Sequence, residues 1–317
     1  MYFFEGPEKK VEICISNNLE SLRNKPIDFW NELVAKAKAK ILSSVKNQKV
    51  DAYLLSESSL FVFDHKIILI TCGTTTLSDA IIFFLEHFSK DQITNLIFER
   101  KNEHFPEYQS SNFLEDFKKL NQIIPGEALR FGSKDSHHIN LFNYHQTNNK
   151  TPSSNDQTFE VLMHGVPKSI SRIFSQDSNI ETIRKHLDLT DVLPGYKIDD
   201  YLFTPNGYSL NAIKDEYYYT FHITPEDPVS YISFETNFPF NGNIQKTTEK
   251  IIDIFKPRTF DLFYFSPVNE NFKINFIGFP AIKKIQHYIS SGYQVNFQHH
   301  LGFNNEVEQA ETINIQT

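Results

Sequence analysis

Apolar residues along this chain alternate in short runs, and they recur at helical spacing in only a few stretches. Val11, Ile13 and Ile15 alternate with polar neighbours and predict an early strand. Pro26, Ile27 and Asp28 open a helix whose apolar stripe runs through Trp30, Leu33, Val34, Ala37 and Ile41. Residues 52–55, 60–63 and 66–71 are short, β-rich and parted by polar turns, as in an antiparallel meander. A second helix carries Leu77, Ile81, Phe84, Leu85 and Phe88 on one face. A strand at 93–98 and a third helix with Phe113, Phe117 and Leu120 follow.

Residues 146–157 are polar, contain Pro152 and show no apolar period, so they predict a linker between halves 1–145 and 158–317. Beyond it the logic repeats. Strands are expected at 159–163, 201–203, 217–223 and 230–235, then a helix with Ile244, Ile251, Ile252 and Phe255. Further strands are expected at 260–265, 272–277 and 293–297. Antiparallel strands with helices on one face make each half α+β, and the recurrence suggests an internal duplication.

The chain has 317 residues, enough to bury a sizeable core. Hydrophobic residues make up 40% and charged residues 22%, as in ordinary globular proteins. The 30 Phe and 14 Tyr lean towards sheet. A net charge of -8 without a dense Lys/Arg block argues against nucleic acid as a partner. Two cysteines, Cys14 and Cys72, make no disulfide framework and fit a reducing compartment. The N-terminus lacks the pattern of a signal peptide, and no apolar run is long enough to span a membrane, so a cytoplasmic location is expected.

No phosphate loop, nucleophile elbow or Cys-x-x-Cys pair is present. The adjacent pairs His137-His138 and His299-His300 would point to opposite faces of a strand, so no metal is expected from either pair. Four other strings stand out. They are Phe3-Phe4-Glu5-Gly6-Pro7-Glu8, Leu55-Ser56-Glu57-Ser58-Ser59, Thr71-Cys72-Gly73-Thr74-Thr75, and Pro205-Asn206-Gly207-Tyr208-Ser209 leading to His222-Ile223-Thr224-Pro225-Glu226. Taken singly, Ser58 and Ser209 would pass for turn hydroxyls and His222 for a structural histidine.

Taken in order, the strings closely resemble the eukaryotic S-adenosylmethionine decarboxylases, pyruvoyl-dependent proenzymes. Asp156-Gln157-Thr158, Phe234-Glu235-Thr236 and Phe255-Lys256-Pro257 extend the likeness over nearly the whole chain, with a weak region from about Pro280 onwards. The resemblance implies a single domain folded as a four-layer α/β/β/α sandwich of two antiparallel sheets. It implies self-cleavage into 1–57 and 58–317, with Ser58 attacking the Glu57 carbonyl and then becoming the pyruvoyl group. The substrate amine would condense with that group as a Schiff base before carbon dioxide leaves.

By the same resemblance, His222 removes the Ser58 Cα proton with the Ser209 hydroxyl beside it, and a histidine near neutrality suits that task. Cys72 would protonate the substrate carbon, its pKa lowered by a following helix. Phe4 and Phe203 would sandwich the adenine, Glu226 would take the ribose hydroxyls, and Glu5, Glu8 and Glu57 would favour a cationic ligand. Glu12, Asp156, Thr158, Glu160 and Glu235 match a putrescine site, and a diamine activator is one expected partner. The family has a lysine just before Thr-Cys-Gly where this chain has Ile70, while Lys9 is expected near the acids. A homodimer of cleaved two-chain units is one expected assembly. The alternative is an inactive regulatory paralogue that activates a partner decarboxylase, which retention of Ser58, Cys72, Ser209 and His222 disfavours.

Overall fold

The computed structural model describes residues 4–146, 156–226, 229–240, 244–267 and 272–302, so residues 147–155 of the expected linker lie outside the described residues. In the first half the strands are β1 (Lys9–Ile15), β2 (Ile41–Lys46), β3 (Asp51–Leu55), β4 (Ser58–Val62), β5 (Lys66–Thr71), β6 (Ile93–Lys101), β7 (Glu127–Gly132) and β8 (His138–His145). In the second they are β9 (Thr158–His164), β10 (Lys197–Leu202), β11 (Tyr208–Lys214), β12 (Tyr217–Thr224), β13 (Tyr231–Thr236), β14 (Thr259–Ser266), β15 (Ala281–Tyr288) and β16 (Gln294–Leu301). Each set forms one antiparallel sheet. The first runs β2-β3-β4-β5-β1-β6-β8-β7 and the second β10-β11-β12-β13-β9-β14-β16-β15. Adding eight to every strand of the first order gives the second, so the duplication is visible in the topology.

Alternation explains the layers. Odd positions of β1, Val11 and Ile13, join Leu60 and Leu69 under the helices α1 (Ile27–Lys36), α2 (Leu77–Glu86) and α3 (Phe113–Ile123). The second sheet packs in the same way on α4 (Lys168–Ser171), α5 (Ile180–His186) and α6 (Ile244–Phe255), with Phe221, Phe234 and Phe255 in that core. Two apolar patches fill the space between the sheets. One holds Leu141, Phe131, Phe263 and Phe297, the other Ala52, Phe61, Ile70, Ile213 and Tyr218. Between these patches lies a seam of buried charge built on Lys10, Glu99, Glu160 and Glu235. This is the expected α/β/β/α sandwich.

Three local expectations fail. Ile41 is not on the first helix: the chain leaves α1 after Lys36, Lys38 takes a left-handed turn (φ 64°), and Ile41 opens β2. Residues 272–277 form no strand. Ile274 and Phe276 are buried and Ile277 is fully exposed, but among the described residues the only pairing there is an isolated bridge from Phe276 to Phe279. Phe203 lies past the end of β10, where its N–H donates to the Gly207 carbonyl.

Candidate active site

β3 and β4 are joined by only Ser56 and Glu57, and Leu55 pairs directly with Ser58. The tight turn forces Ser58 to φ 129°, a region that L-residues avoid at a cost of about 1–3 kcal/mol. Ser58 is 2% exposed, and its Oγ has no hydrogen-bond partner among the described residues. The Ser58 hydroxyl is therefore strained, buried and unpartnered, next along the chain to the Glu57 carbonyl. That carbonyl oxygen accepts the Cys72 N–H at 3.0 Å and lies 3.5 Å from the Cys72 thiol. Donors already aimed at the oxygen where negative charge would develop resemble an oxyanion hole.

Cys72 follows the last residue of β5, and α2 begins only at Leu77. The expectation of a thiol acidified by the helix dipole is therefore corrected, because the dipole acts within the first turn. Burial instead pushes the thiol pKa well above its ordinary value, and the charges of Glu57 and Glu8 add to the rise. A thiol held in the S–H form is a proton donor.

His222 sits on β12 directly across from Ser209 on β11. Its Nδ1 is 2.6 Å from Glu8 Oε1, which also accepts from the Ser233 hydroxyl at 2.8 Å. A carboxylate only accepts, so Glu8 fixes the proton on Nδ1 and leaves Nε2 with a lone pair. Nε2 lies 2.8 Å from Ser59 Oγ and 3.1 Å from Thr220 Oγ1. For Ser59 to donate to it, the Asn211 amide must be turned so that Nδ2, otherwise unpartnered, serves the Ser59 oxygen 2.6 Å from the group. Ser59 and Asn211, which sequence reasoning missed, thus tie β4 to β11 and hold the ring in place.

A cavity of about 390 Å³ opens over these groups and is lined by Ser58, Cys72, Ser209 and His222 together with Phe4, Phe203, Glu57 and Glu226. The sequence placed these eight residues apart along the chain, and the fold brings them together. Burial raises the Glu57 carboxyl to about 7 and moves Glu226 in the same direction. Gly73 (φ 67°) forms part of the wall, since a Cβ there would stand 3.1 Å from both the Phe4 ring and Glu57 Oε2.

Glu5 is not with them. Its carboxylate accepts the His104 and Phe105 backbone N–H groups at 2.9 and 2.8 Å, so it anchors that loop outside the cavity. Glu8 does not line the cavity either, and acts behind the histidine.

The second acidic group, Glu12, Asp156, Glu160 and Glu235 with the buried Thr158, does gather between the sheets. Lysines are already there. Lys10 Nζ lies 2.6 Å from Glu160, 3.0 Å from Glu235 and 3.6 Å from Glu99. Lys66 lies 3.7 Å from Glu12 and 3.4 Å from Asp156, which also accepts the Tyr293 hydroxyl at 2.6 Å. The expectation for Lys9 is corrected. It points to the other face of β1, where its ammonium donates to the Gly73 carbonyl and Gln109, so Lys10 rather than Lys9 serves the acids. Alternation of β1 from Glu12 would have shown this. Beside Lys10 only about 20 Å³ stays open.

Two duplicated halves that close over a strained serine, a protonated thiol and a carboxylate-backed histidine define an enzyme whose working groups come from both sheets. The family model for adenosylmethionine decarboxylase matches residues 1–306. A Dictyostelium discoideum protein described as an S-adenosylmethionine decarboxylase proenzyme is 31% identical over 98% of this chain and 91% of its own length. Proteins of the same description from Xenopus laevis and Leishmania donovani are 37% and 36% identical over 82% and 85% of this chain, and 82% and 76% of their own. A solved Trypanosoma brucei AdoMetDC monomer shares the fold, with a TM-score of 0.60 at 24% identity, covering 77% of this chain and 99% of that one. The chain belongs to the adenosylmethionine decarboxylase family.

Proposed function

We propose that the chain decarboxylates S-adenosylmethionine to supply the aminopropyl donor for polyamine synthesis, using a pyruvoyl group that it makes from Ser58. The observation that carries this is Ser58 itself, strained, buried and unpartnered beside a carbonyl held by Cys72. These features fit a residue that is consumed to build the group.

Ser58 Oγ attacks the Glu57 carbonyl carbon, and the Cys72 N–H steadies the charge on its oxygen. The C–N bond breaks, the amine is freed, and an ester joins the two segments. His222, polarised by Glu8, lies in the same cavity to take the Ser58 Cα proton, and its cross-strand partner Ser209 shares the site. Loss of that proton expels the Glu57 carboxylate and leaves dehydroalanine. Water then replaces its nitrogen, releasing ammonia and leaving a keto group at residue 58.

A pyruvoyl carbonyl supplies an electron sink for the bonding pair that departing carbon dioxide leaves behind. Cys72, kept as S–H by burial, is the donor to the vacated carbon. Phe4 and Phe203 bound the cavity where an adenine ring would lie, and faces so placed attract a sulfonium by about 0.5–2 kcal/mol. Glu226 on the rim suits ribose hydroxyls, and Glu57, its carboxyl raised to about 7, adds negative charge in its ionised form.

Lys10 and Lys66 support activity without a diamine, because they supply from within the chain the positive charge that putrescine would bring.

Intact mass spectrometry with a carbon dioxide release assay tests the reading. Two fragments, 1–57 and 58–317, are expected, the larger with a blocked N-terminus, and Ser58→Ala is expected to stay whole and inactive. Full activity in an uncleaved chain would overturn it.

A further inference from the structure

At the other end of the seam a second constellation forms that the decarboxylation does not use. His137 lies in the turn before β8 of the first sheet, while His164 ends β9 and Asp261 sits on β14 of the second. Each offers a ligand atom, and the three atoms lie within 4.8 Å of one another. Histidines of the two sequence pairs meet here after all: the His137 ring stacks on His299 at 4.7 Å and meets His164 edge-on at 4.3 Å. The opposed-face argument fits His299 and His300 on β16, which bond Asp261 and the Phe279 carbonyl, but His137 lies off the strand and the argument says nothing about histidines that meet across the sheets.

His164 carries the strongest indication. It is 7% exposed, yet neither ring nitrogen has a hydrogen-bond partner among the described residues. His137 Nδ1 is equally unpartnered, 3.7 Å from Asp261 Oδ2 and beyond hydrogen-bond reach. Leaving a buried polar group unsatisfied is unfavourable, and two imidazoles and a carboxylate facing one point suggest what is missing. We propose that His137, His164 and Asp261 bind one divalent transition-metal ion of the zinc class, which clamps the two sheets together.

Imidazole-rich donors favour zinc, cobalt, nickel or copper over magnesium or calcium. Tetrahedral coordination at about 2.1 Å sets ligand atoms roughly 3.4 Å apart, so the widest pair must close by about 1.4 Å. Rotation of His137, the most exposed of the three, can supply that. Outside the ligands, His299 Nδ1 donates to Asp261 Oδ1 at 2.6 Å and orients the carboxylate. Lys101 pairs with the other oxygen, Oδ2, so the ion must use a remaining lone pair of that oxygen or turn the ammonium aside. A cavity of about 1090 Å³ that His137 and His164 help to line provides an entry path and room for water.

The test uses untagged, chelator-treated full-length protein titrated with Co²⁺ and Zn²⁺, read by visible absorption, calorimetry and thermal unfolding. One equivalent of Co²⁺ is expected to bind with ligand-field bands in the visible, and Zn²⁺ is expected to displace it and raise the melting temperature. His164→Ala and, as a milder change at the more exposed ligand, His137→Asn are each expected to weaken binding at least tenfold. His299→Gln is expected to weaken it by about 10–100-fold, as outer-shell partners do. Self-cleavage of His137→Asn is expected to match that of the unmodified chain, which separates this site from the serine site. Substoichiometric binding, or binding that survives both ligand substitutions, would overturn the proposal.

Discussion

Replacing Lys10 isolates the buried charge that holds the seam. Its ammonium touches three carboxylates, Glu160, Glu235 and Glu99, all buried, and Glu235 also accepts the Tyr218 hydroxyl. Burial, partly offset by Lys10, raises the carboxyls of Glu99 and Glu235 to about 7, and that of Glu160, with Glu99 adding to burial, to about 8, against an ordinary 4.5. A folded acid with a raised pKa holds a proton that the unfolded chain has released. Stability therefore falls as pH climbs from about 4.5 to about 8, by roughly 1.4 kcal/mol per unit for each group still protonated in the fold. Lys10→Met keeps the shape and removes the charge, which lifts the three pKa values further. The expected loss relative to the unmodified chain is about 3–5 kcal/mol near pH 8, the usual result of stripping one partner from a buried ion pair. Near pH 5.5 the loss should be much smaller, because the acids can stay neutral at little cost. Lys10→Ala vacates four side-chain atoms beside the open 20 Å³, so propylamine or putrescine should recover part of its stability. Urea unfolding at both pH values, with and without amine, reads all three effects. A loss that is the same at both pH values would refute the electrostatic argument, since packing defects do not titrate.

Other outcomes follow from the same geometry. Cys72→Ala should still self-cleave but lose about 10²- to 10⁴-fold in decarboxylation, measured as carbon dioxide release. Glu8→Gln should slow cleavage by up to about 10⁴-fold without unfolding the chain, because Nδ1 loses the acceptor that fixes its proton; gel time courses with circular dichroism check it. Gly73→Ala should raise KM more than it lowers kcat, since its Cβ would push on the Phe4 ring and Glu57, and a left-handed alanine should take about 1–2 kcal/mol from stability. Putrescine added to the unmodified chain should change the initial rate by less than about twofold, because Lys10 already satisfies the acids.

What the apolar pattern reveals follows how much each strand buries. β1, β3, β4, β5, β6, β9, β12, β13 and β14 are inner strands whose residues are mostly buried, and their runs were readable. The four sheet edges, β2, β7, β10 and β15, were missed or reduced to a fragment. β15 (AIKKIQHY) is mostly exposed, and edge strands need little apolar sequence to hold one neighbour. Inner β8 and β11 were missed too, because β8 is broken by Asn140, Asn143 and histidines and β11 was absorbed into a motif. The false strand at 272–277 shows the converse, as a loop laid on a core can alternate in burial without a ladder. At the site, ordered strings brought in Ser58, Cys72, Ser209 and His222. They could not separate Glu5, which faces a loop, from Glu57, which faces the cavity. Lys10 and the His137–His164–Asp261 group were invisible for another reason: their meaning depends on which residue stands across the gap between the sheets.

Duplication explains why both constellations lie in that gap. The two sheets have the same strand order and stack with β2 and β3 against β10 and β11, and β7 against β15 and β16, so like strand faces like strand. A strand of one copy then faces its counterpart in the other, and like charges set on both inner faces would be brought together. Divergence between the copies resolves this into complementary pairs. Lys10 on β1 answers Glu160 on β9, Lys101 on β6 answers Asp261 on β14, and Ser59 on β4 reaches His222 on β12. Each pair joins a strand to its own equivalent. The proposed mechanism fits the same rule, with Ser58 from one copy of the fourth strand and His222 from the other. Neither half holds both groups, so Ser58 and His222 share a cavity only after the two sheets have closed.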